Sequence, residues 1–166
     1  MIREGVLPRP APPLKKTPTL RERALAMLAR REYSRAELAR RLVPHAADDA
    51  ELEALLAALA AGRQLSDERY AEARSHILSR KYGTARIVNE LKHKGIEGEL
   101  LDRVAAEAKQ SERERARDAW RRKFRSPPAS REEKARQMRF LQSRGFSFEA
   151  IRSLFDAEDS DAGDPE

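Results

Sequence analysis

The feature that most constrains the fold is a pattern of apolar residues that returns about every 50 positions along the 166-residue chain. Five positions of the first copy, Tyr33, Leu38, Leu42, Leu52 and Leu55, return 49 residues later as Tyr82, Ile87, Leu91, Leu101 and Val104. After a further 50 residues the last three of these are followed by Leu141, Ile151 and Leu154, and the pair Gly95-Ile96 by Gly145-Phe146. A unit of this length buries little apolar surface alone, so the pattern predicts three tandem units whose neighbours share helix faces.

Each unit is predicted to consist of three helices. Strand patterns are nearly absent, and apolar residues recur at helical spacing, as in the stripe of Leu52, Leu55, Leu56 and Leu59. Capping boxes predict helix starts after Thr19, Ser34 and Ser130. Hydrophobic staples are predicted for Tyr33 with Leu38 and for Phe146 with Ile151. We therefore expect an all-α chain with repeats at 20–62, 66–108 and 111–155.

The ends of the chain differ from the repeats. Residues 1–18 contain five prolines and four basic residues against one glutamate, which predicts a disordered basic arm. Residues 156–166 contain six acidic residues and no basic one, which predicts a disordered acidic tail. In the first repeat Val43-Pro44-His45-Ala46 stands where the others have the glycine turn, and Pro44 is expected to end the second helix near Val43.

Composition narrows the possible functions. The chain carries 34 Lys and Arg against 28 Asp and Glu, and the resulting pI near 9.9 suits a polyanion or a protein–DNA assembly as well as a solvated helical surface. It has no cysteine, which excludes disulfides, thiolate zinc sites and cysteine nucleophiles. No apolar run approaches the roughly 20 residues that span a bilayer, and no signal core is visible, so a cytoplasmic location without membrane contact is expected.

Three motifs resemble those of one protein family. They are Leu65-Ser66-Asp67-Glu68-Arg69-Tyr70-Ala71, then the central run from Tyr82-Gly83-Thr84 to Lys94-Gly95-Ile96, and Phe140-Leu141-Gln142-Ser143-Arg144-Gly145-Phe146-Ser147. Taken in this order, they are similar to the RecX family, bacterial regulators of the RecA recombinase. The resemblance covers about residues 20–155.

The resemblance implies an elongated, curved array of three tandem three-helix repeats. It also implies a protein that lies in the groove of the RecA–single-stranded-DNA filament. Such proteins oppose filament growth and suppress RecA strand exchange, coprotease and ATPase activity, which would make this chain a regulator of DNA repair and the SOS response. Its expected partners are the RecA filament and the single-stranded DNA within it, and DNA contacted directly is a further possibility. The chain itself is expected to be a monomer.

Catalysis is not expected from the residues present. The histidines His45, His76 and His93 have no metal-binding spacing, and the chain contains no phosphate-binding P-loop motif. Adjacent acids such as Asp48-Asp49 and Asp67-Glu68 point about 100° apart on a helix, and helix N-termini explain them better than a metal does. No catalytic residue, metal or cofactor is therefore predicted.

The predicted contact surface is a stripe of basic residues that recurs with the repeats. A single arginine is usually a solvated surface residue, but clusters at matching places suit phosphates and acidic protein surfaces. Trp120 and Phe124 are predicted to be core residues, with base stacking as the alternative. The predicted filament-binding residues are Arg80, Lys81, Arg86, Lys92, Lys94, Arg121, Arg122, Lys123 and Arg144. The alternatives are a DNA-binding protein in which one helix reads the major groove, and a helical scaffold for an unrelated partner.

Overall fold

A computed structural model describes residues 16–161 of the chain, and within that range it contains nine α-helices and no strand. The helices are α1 Leu20–Leu28, α2 Arg35–Leu42, α3 Asp49–Ala61, α4 Asp67–Ser79, α5 Thr84–His93, α6 Gly98–Gln110, α7 Glu112–Lys123, α8 Arg131–Ser143 and α9 Phe148–Asp161. Residues 1–15 of the predicted arm and 162–166 of the predicted tail lie outside the described residues. The predicted all-α class is confirmed.

The helices form three groups of three, each around its own apolar core. One core is built from α1–α3, the second from α4–α6 and the third from α7–α9. Residues at the repeated positions occupy equivalent places, and Leu42, Leu91 and Leu141 are each fully buried. We call the three groups repeat 1, repeat 2 and repeat 3. Each copy of the apolar pattern therefore forms a core of its own, and the three cores are not continuous.

Two details differ from the sequence prediction. In α3 Leu56 and Leu59 are fully buried, whereas Leu55, the residue at the repeated position, is only partly buried. At the other end of the chain α9 continues to Asp161, six residues into the segment predicted to be a disordered tail. Burial of Phe155 and an Arg152–Asp156 ion pair at 3.5 Å support the helix where it enters that segment.

The helix starts follow the capping residues. Thr19 forms the complete capping box, since its hydroxyl accepts from the Glu22 N–H at 3.1 Å and the Glu22 carboxylate accepts from the Thr19 N–H at 2.7 Å. Ser34 and Ser130 supply only the first half of the box, because each hydroxyl accepts from the backbone three residues later. The Glu37 carboxylate after Ser34 binds Arg31 instead, at 2.8 Å.

The two glycine turns end α5 and α8 in the same way. Gly95 and Gly145 both have φ of 82°, the left-handed conformation that closes a helix. The following residue donates its N–H to the carbonyl five residues earlier, Ile96 to Leu91 at 3.0 Å and Phe146 to Leu141 at 3.2 Å.

These glycine turns are also where neighbouring repeats meet. A β-carbon on Gly95 would lie 2.5 Å from the Ala36 β-carbon in repeat 1, and one on Gly145 would lie 2.7 Å from the Arg86 β-carbon in repeat 2. The start of α2 therefore packs on the end of α5, and the start of α5 packs on the end of α8. Repeat 1 differs at this place, because a 3-10 turn at Val43–His45 follows α2 instead of a glycine turn.

The junction between repeats 1 and 2 depends on polar contacts at the start of α2. The buried Ser34 hydroxyl donates to the Lys94 carbonyl at 2.6 Å. The Arg35 N–H, at the first position of α2, donates to the Asp67 carboxylate at 2.7 Å. Asp67 is the first residue of α4, so repeat 2 supplies a capping group for a helix of repeat 1.

The junction between repeats 2 and 3 repeats this arrangement with more bonds. Glu112, the first residue of α7, is only 3% exposed and accepts from the Thr84 N–H at 2.9 Å. It also accepts from the Ser147 N–H at 3.3 Å and hydroxyl at 2.8 Å. In addition, the Gly83 N–H donates directly to the Arg144 carbonyl at 2.8 Å. Repeats 2 and 3 are thus joined through their backbones as well as their side chains.

Candidate functional site

Five of the predicted contact residues converge at the junction of repeats 2 and 3. Arg80 and Lys81 follow the end of α4, Arg122 and Lys123 end α7, and Arg144 follows α8. Together they line a cleft of about 250 Å³, whose remaining walls are Ala119 and Phe140. We call this site the basic cleft.

The ring of Phe140 lies among the cations of the basic cleft. The Arg144 guanidinium carbon is 5.1 Å from the ring centroid and the Lys123 ammonium is 5.9 Å from it, both within range of a cation–π attraction. Phe124 packs edge-on against the same ring at 5.4 Å. Arg122 donates to the carbonyl of Arg80 and so fixes the end of α7 against the end of α4.

The basic cleft carries an uncompensated positive charge. Within the part of the chain that the structure describes, no acidic residue lines the cleft, and the Arg122 guanidinium donates to the neutral carbonyls of Asp118 and Arg80. Like charges held together in a concave surface attract anions and raise their local concentration. The arrangement therefore suits phosphate groups or an acidic protein surface.

Arg86 extends the same cationic surface beyond the cleft. Its guanidinium carbon lies 4.3 Å from the Tyr82 ring centroid, and that of Arg144 lies 5.6 Å from the same centroid. Arg86 also lines a neighbouring cavity of about 400 Å³ together with Asn89 and Gln142. Six of the nine predicted residues are therefore placed next to one another.

The other three predicted residues lie elsewhere. Lys94 belongs to the junction of repeats 1 and 2, where its ammonium is 3.7 Å from the Glu37 carboxylate. Lys92 and Arg121 are exposed, and neither lines the basic cleft.

A second charged cluster lies beneath the junction of repeats 1 and 2. The hydrogen bond from Arg31 lowers the pKa of Glu37 below its ordinary value of 4.5. The same bond raises the pKa of Arg31. Burial raises the pKa of Tyr70, which lines the same cavity of about 310 Å³. Because the guanidinium neutralises Glu37, this cavity is not an excess-charge site like the basic cleft.

The residues considered for chemistry are distributed without a catalytic grouping. His45, His76 and His93 are exposed and lie on different helices or turns. No group of three side chains able to hold a metal ion is found within residues 16–161. In that same part of the chain, no helix is long and apolar enough to cross a membrane. Trp120 is a core residue as predicted, with its indole N–H donating to the Gln137 amide oxygen at 2.7 Å.

Sequence reasoning missed the groups that hold the repeats together. Asp67 and Glu112 stand 45 residues apart at the first position of their helices, and this spacing in the sequence could have predicted their shared role. Arg115 had no such pattern: its guanidinium donates to the Ala108 carbonyl at 2.7 Å and to the Tyr82 carbonyl. Burial lowers the pKa of this arginine.

Fold and cleft together define a helical-repeat protein that presents a cationic surface at a repeat junction. The second and third repeats match family profiles described as "RecX, second three-helix domain" over residues 66–104 and "RecX, third three-helix domain" over residues 110–155. The chain belongs to the RecX family of regulatory proteins.

Relatives of known name and structure agree with this assignment. The chain is 46% identical over 156 residues to "Regulatory protein RecX" of Herbaspirillum seropedicae, covering 94% of this chain and 99% of that protein. It is 48% identical over 136 residues to the protein of the same name from Leptothrix cholodnii, covering 82% and 87% of the two chains. Its fold is similar to the crystal structure of RecX from Lactobacillus salivarius, with a TM-score of 0.71 at 19% identity over 84% of this chain and 94% of that one.

The motifs that carry the family resemblance coincide with the repeat junctions. In the first motif Asp67 caps α2 of the preceding repeat, while Tyr70 and Ala71 are buried in the second core. In the last motif Gly145 receives the start of α5. The resemblance therefore marks the way in which the repeats are joined as well as the helices themselves.

Proposed function

We propose that this chain binds the RecA–single-stranded-DNA filament through the basic cleft and lowers the recombinase, ATPase and coprotease activities of RecA. Such binding would regulate DNA repair and the SOS response. The observation that supports the proposal is the convergence of five cations from three helix ends on one cleft, which no acidic side chain of the described residues lines. The family of regulatory proteins to which the chain belongs supports the choice of partner.

The proposed mechanism is occupation of the filament groove. Phosphates and acidic protein surface both attract a cationic site, and the effect on association is strongest at low salt. A chain seated in the groove would block addition of the next RecA subunit, or the closing motion coupled to ATP turnover. The proposal requires no reaction on this chain, no cofactor and no second copy of it.

The test is the ATPase rate of RecA on single-stranded DNA with this protein titrated in. We expect the rate to fall as the protein is added. A fall well below one protein per RecA subunit supports capping of filament ends, whereas a fall only near saturation supports coating of the groove. An unchanged rate across the titration contradicts the proposal, and so does a sustained increase.

Direct binding to DNA is the second candidate, because cations around an aromatic ring also suit a nucleic-acid strand. It predicts tight, salt-sensitive binding of labelled single-stranded or duplex DNA in the absence of RecA. Fluorescence anisotropy over a series of salt concentrations separates the two candidates. Weak DNA binding by a protein that still lowers the RecA ATPase rate favours the filament.

A further inference from the structure

A second cationic cavity lies within repeat 1, and none of its residues lines the basic cleft. It measures about 550 Å³ and lies between α1, α2 and the 3-10 turn that follows α2. The charged residues that line it are four arginines and one glutamate, Arg23, Arg30, Arg40, Arg41 and Glu22. Its apolar lining includes Ala26, Met27, Leu42 and Pro44. We call this cavity the repeat 1 pocket.

Among the described residues, the positive charge of the repeat 1 pocket is offset only in part, because four arginines stand against one glutamate. The Glu22 carboxylate is engaged in the capping box, where it accepts from the Thr19 N–H at 2.7 Å. Arg40 is held in place by neutral carbonyls, that of His93 at 3.2 Å and that of Ala36 at 3.3 Å. The arginines form the rim of the pocket, and they can therefore bind carboxylates of a partner without first breaking an ion pair.

The floor of the same pocket is apolar and adaptable. Met27 packs against the first core but remains partly exposed, and an unbranched thioether side chain fits partners of different shape. An apolar depression with a charged rim is the usual anatomy of a protein-binding site.

We propose that the repeat 1 pocket binds a segment of a partner protein in which acidic residues flank one or two large apolar side chains. The acids would pair with the arginine rim, and the apolar side chains would cover Met27 and its neighbours. This inference does not depend on the RecA contact proposed above, since it concerns a different repeat and a different set of residues.

A nucleic-acid strand fits the repeat 1 pocket less well. Among its lining residues only the ring of Tyr33 and the imidazole of His45 are aromatic, and the Tyr33 ring is 7% exposed. The guanidinium of Arg31 lies 3.6 Å from the Tyr33 centroid and that of Arg41 lies 5.8 Å from it, so this nearly buried ring offers little surface for a base to stack on. Phosphates could pair with the arginines, but a sugar–phosphate backbone would leave the apolar lining without an apolar partner.

The two ends of this chain do not match the repeat 1 pocket either. The segment before Pro18 is itself basic, so its charge does not complement the rim. Residues 156–166 are acidic but contain no large apolar side chain to fill the floor. The proposal therefore commits to a partner segment that has both properties.

The test measures binding of short fluorescein-labelled peptides to the full chain by fluorescence anisotropy. One peptide is rich in Asp and Glu around a Leu-Phe pair, and the second has two serines in place of that pair. A labelled single-stranded oligonucleotide is the third probe. We expect the Leu-Phe peptide to bind about tenfold or more tightly than the serine peptide, the size expected for burying one or two large apolar side chains. We expect the oligonucleotide not to displace it.

Matched charge reversals locate the site. R23E/R30E removes two rim arginines, whereas R117E/R139E makes the same charge change on exposed residues of repeat 3. We expect the first variant to bind the Leu-Phe peptide about tenfold more weakly and the second to bind within about twofold of the parent chain. Far-UV circular dichroism checks that both are folded.

Three outcomes overturn the inference, and two of them need no variant. They are equal binding of the Leu-Phe and serine peptides, displacement of the Leu-Phe peptide by the oligonucleotide, and an equal loss of binding in both charge-reversal variants.

Discussion

Replacing Glu112 is the most informative single change at the junction of repeats 2 and 3. In Glu112→Ala the Thr84 N–H loses an acceptor at 2.9 Å and the Ser147 N–H loses a weaker one at 3.3 Å. The Ser147 hydroxyl can rotate toward water. Both hydrogen bonds are partly buried, and a fully buried donor without an acceptor costs about 1–3 kcal/mol, so we expect a total loss of about 1–3 kcal/mol in the free energy of unfolding. For a chain of this size that corresponds to a fall of about 2–12 °C in Tm.

Glu114 supplies the matched control, because it carries the same charge in the first turn of the same helix but is exposed. Glu114→Ala should change the unfolding free energy by less than about 0.5 kcal/mol. Glu112→Gln keeps one acceptor oxygen and should fall between the two alanine variants. Thermal and urea unfolding followed by circular dichroism measure all three. Near-equal stability of the Glu112 and Glu114 variants would refute the claim that this carboxylate holds the repeats together.

Three further predictions concern the turns, the pH dependence and the third core. Gly145→Ala should lower the free energy of unfolding by about 2–4 kcal/mol, because at φ of 82° its β-carbon would meet the backbone of Arg86. Gly98→Ala is the control: φ is 64° and the space around it is open, so thermal unfolding should show a loss of about 1 kcal/mol. The pKa of Glu37 is lowered in the folded chain, so its contribution to stability is complete above pH 4.5 and is lost as the pH falls below that value. The difference in unfolding free energy between the parent chain and Glu37→Gln, measured by urea unfolding at a series of pH values, should therefore shrink over the same range. Trp120→Phe leaves the buried Gln137 amide oxygen without its donor and should lower the free energy of unfolding by about 1–3 kcal/mol. Urea unfolding followed by circular dichroism measures this loss, and an unchanged stability would contradict the importance of that hydrogen bond.

The helices and cores could be predicted because their causes are local. Leu42, Leu91 and Leu141 stand at a fixed spacing, and a side chain repeated at helical positions needs no knowledge of the neighbouring unit to be placed in a core. α2 ends at Leu42, next to the predicted boundary at Val43. The reason differs from the predicted one: Val43 keeps helical backbone angles, φ −45° and ψ −47°, and Pro44 has no N–H with which to continue the α-helical hydrogen bonds.

The grouping of the basic residues could not be predicted, because it depends on how the repeats are oriented. Arg80 and Arg122 are 42 residues apart and meet in one cleft, whereas Lys94, closer in sequence to Arg80, lies at the other junction beside Glu37. The glycine turns fix this orientation by receiving the helix of the preceding repeat. The basic residues that were predicted to form one stripe therefore lie on separate surfaces of the folded chain.

We propose that the basic cleft contacts the RecA filament. The most direct measurement is the RecA ATPase rate on single-stranded DNA with the parent chain, with K81E/K123E in the cleft, and with R117E/R139E as a control of equal charge change outside it. We predict that the parent chain and the control lower the rate and that the cleft variant, folded by circular dichroism, does not. Equal inhibition by all three proteins, or no inhibition by the parent chain, would contradict the account.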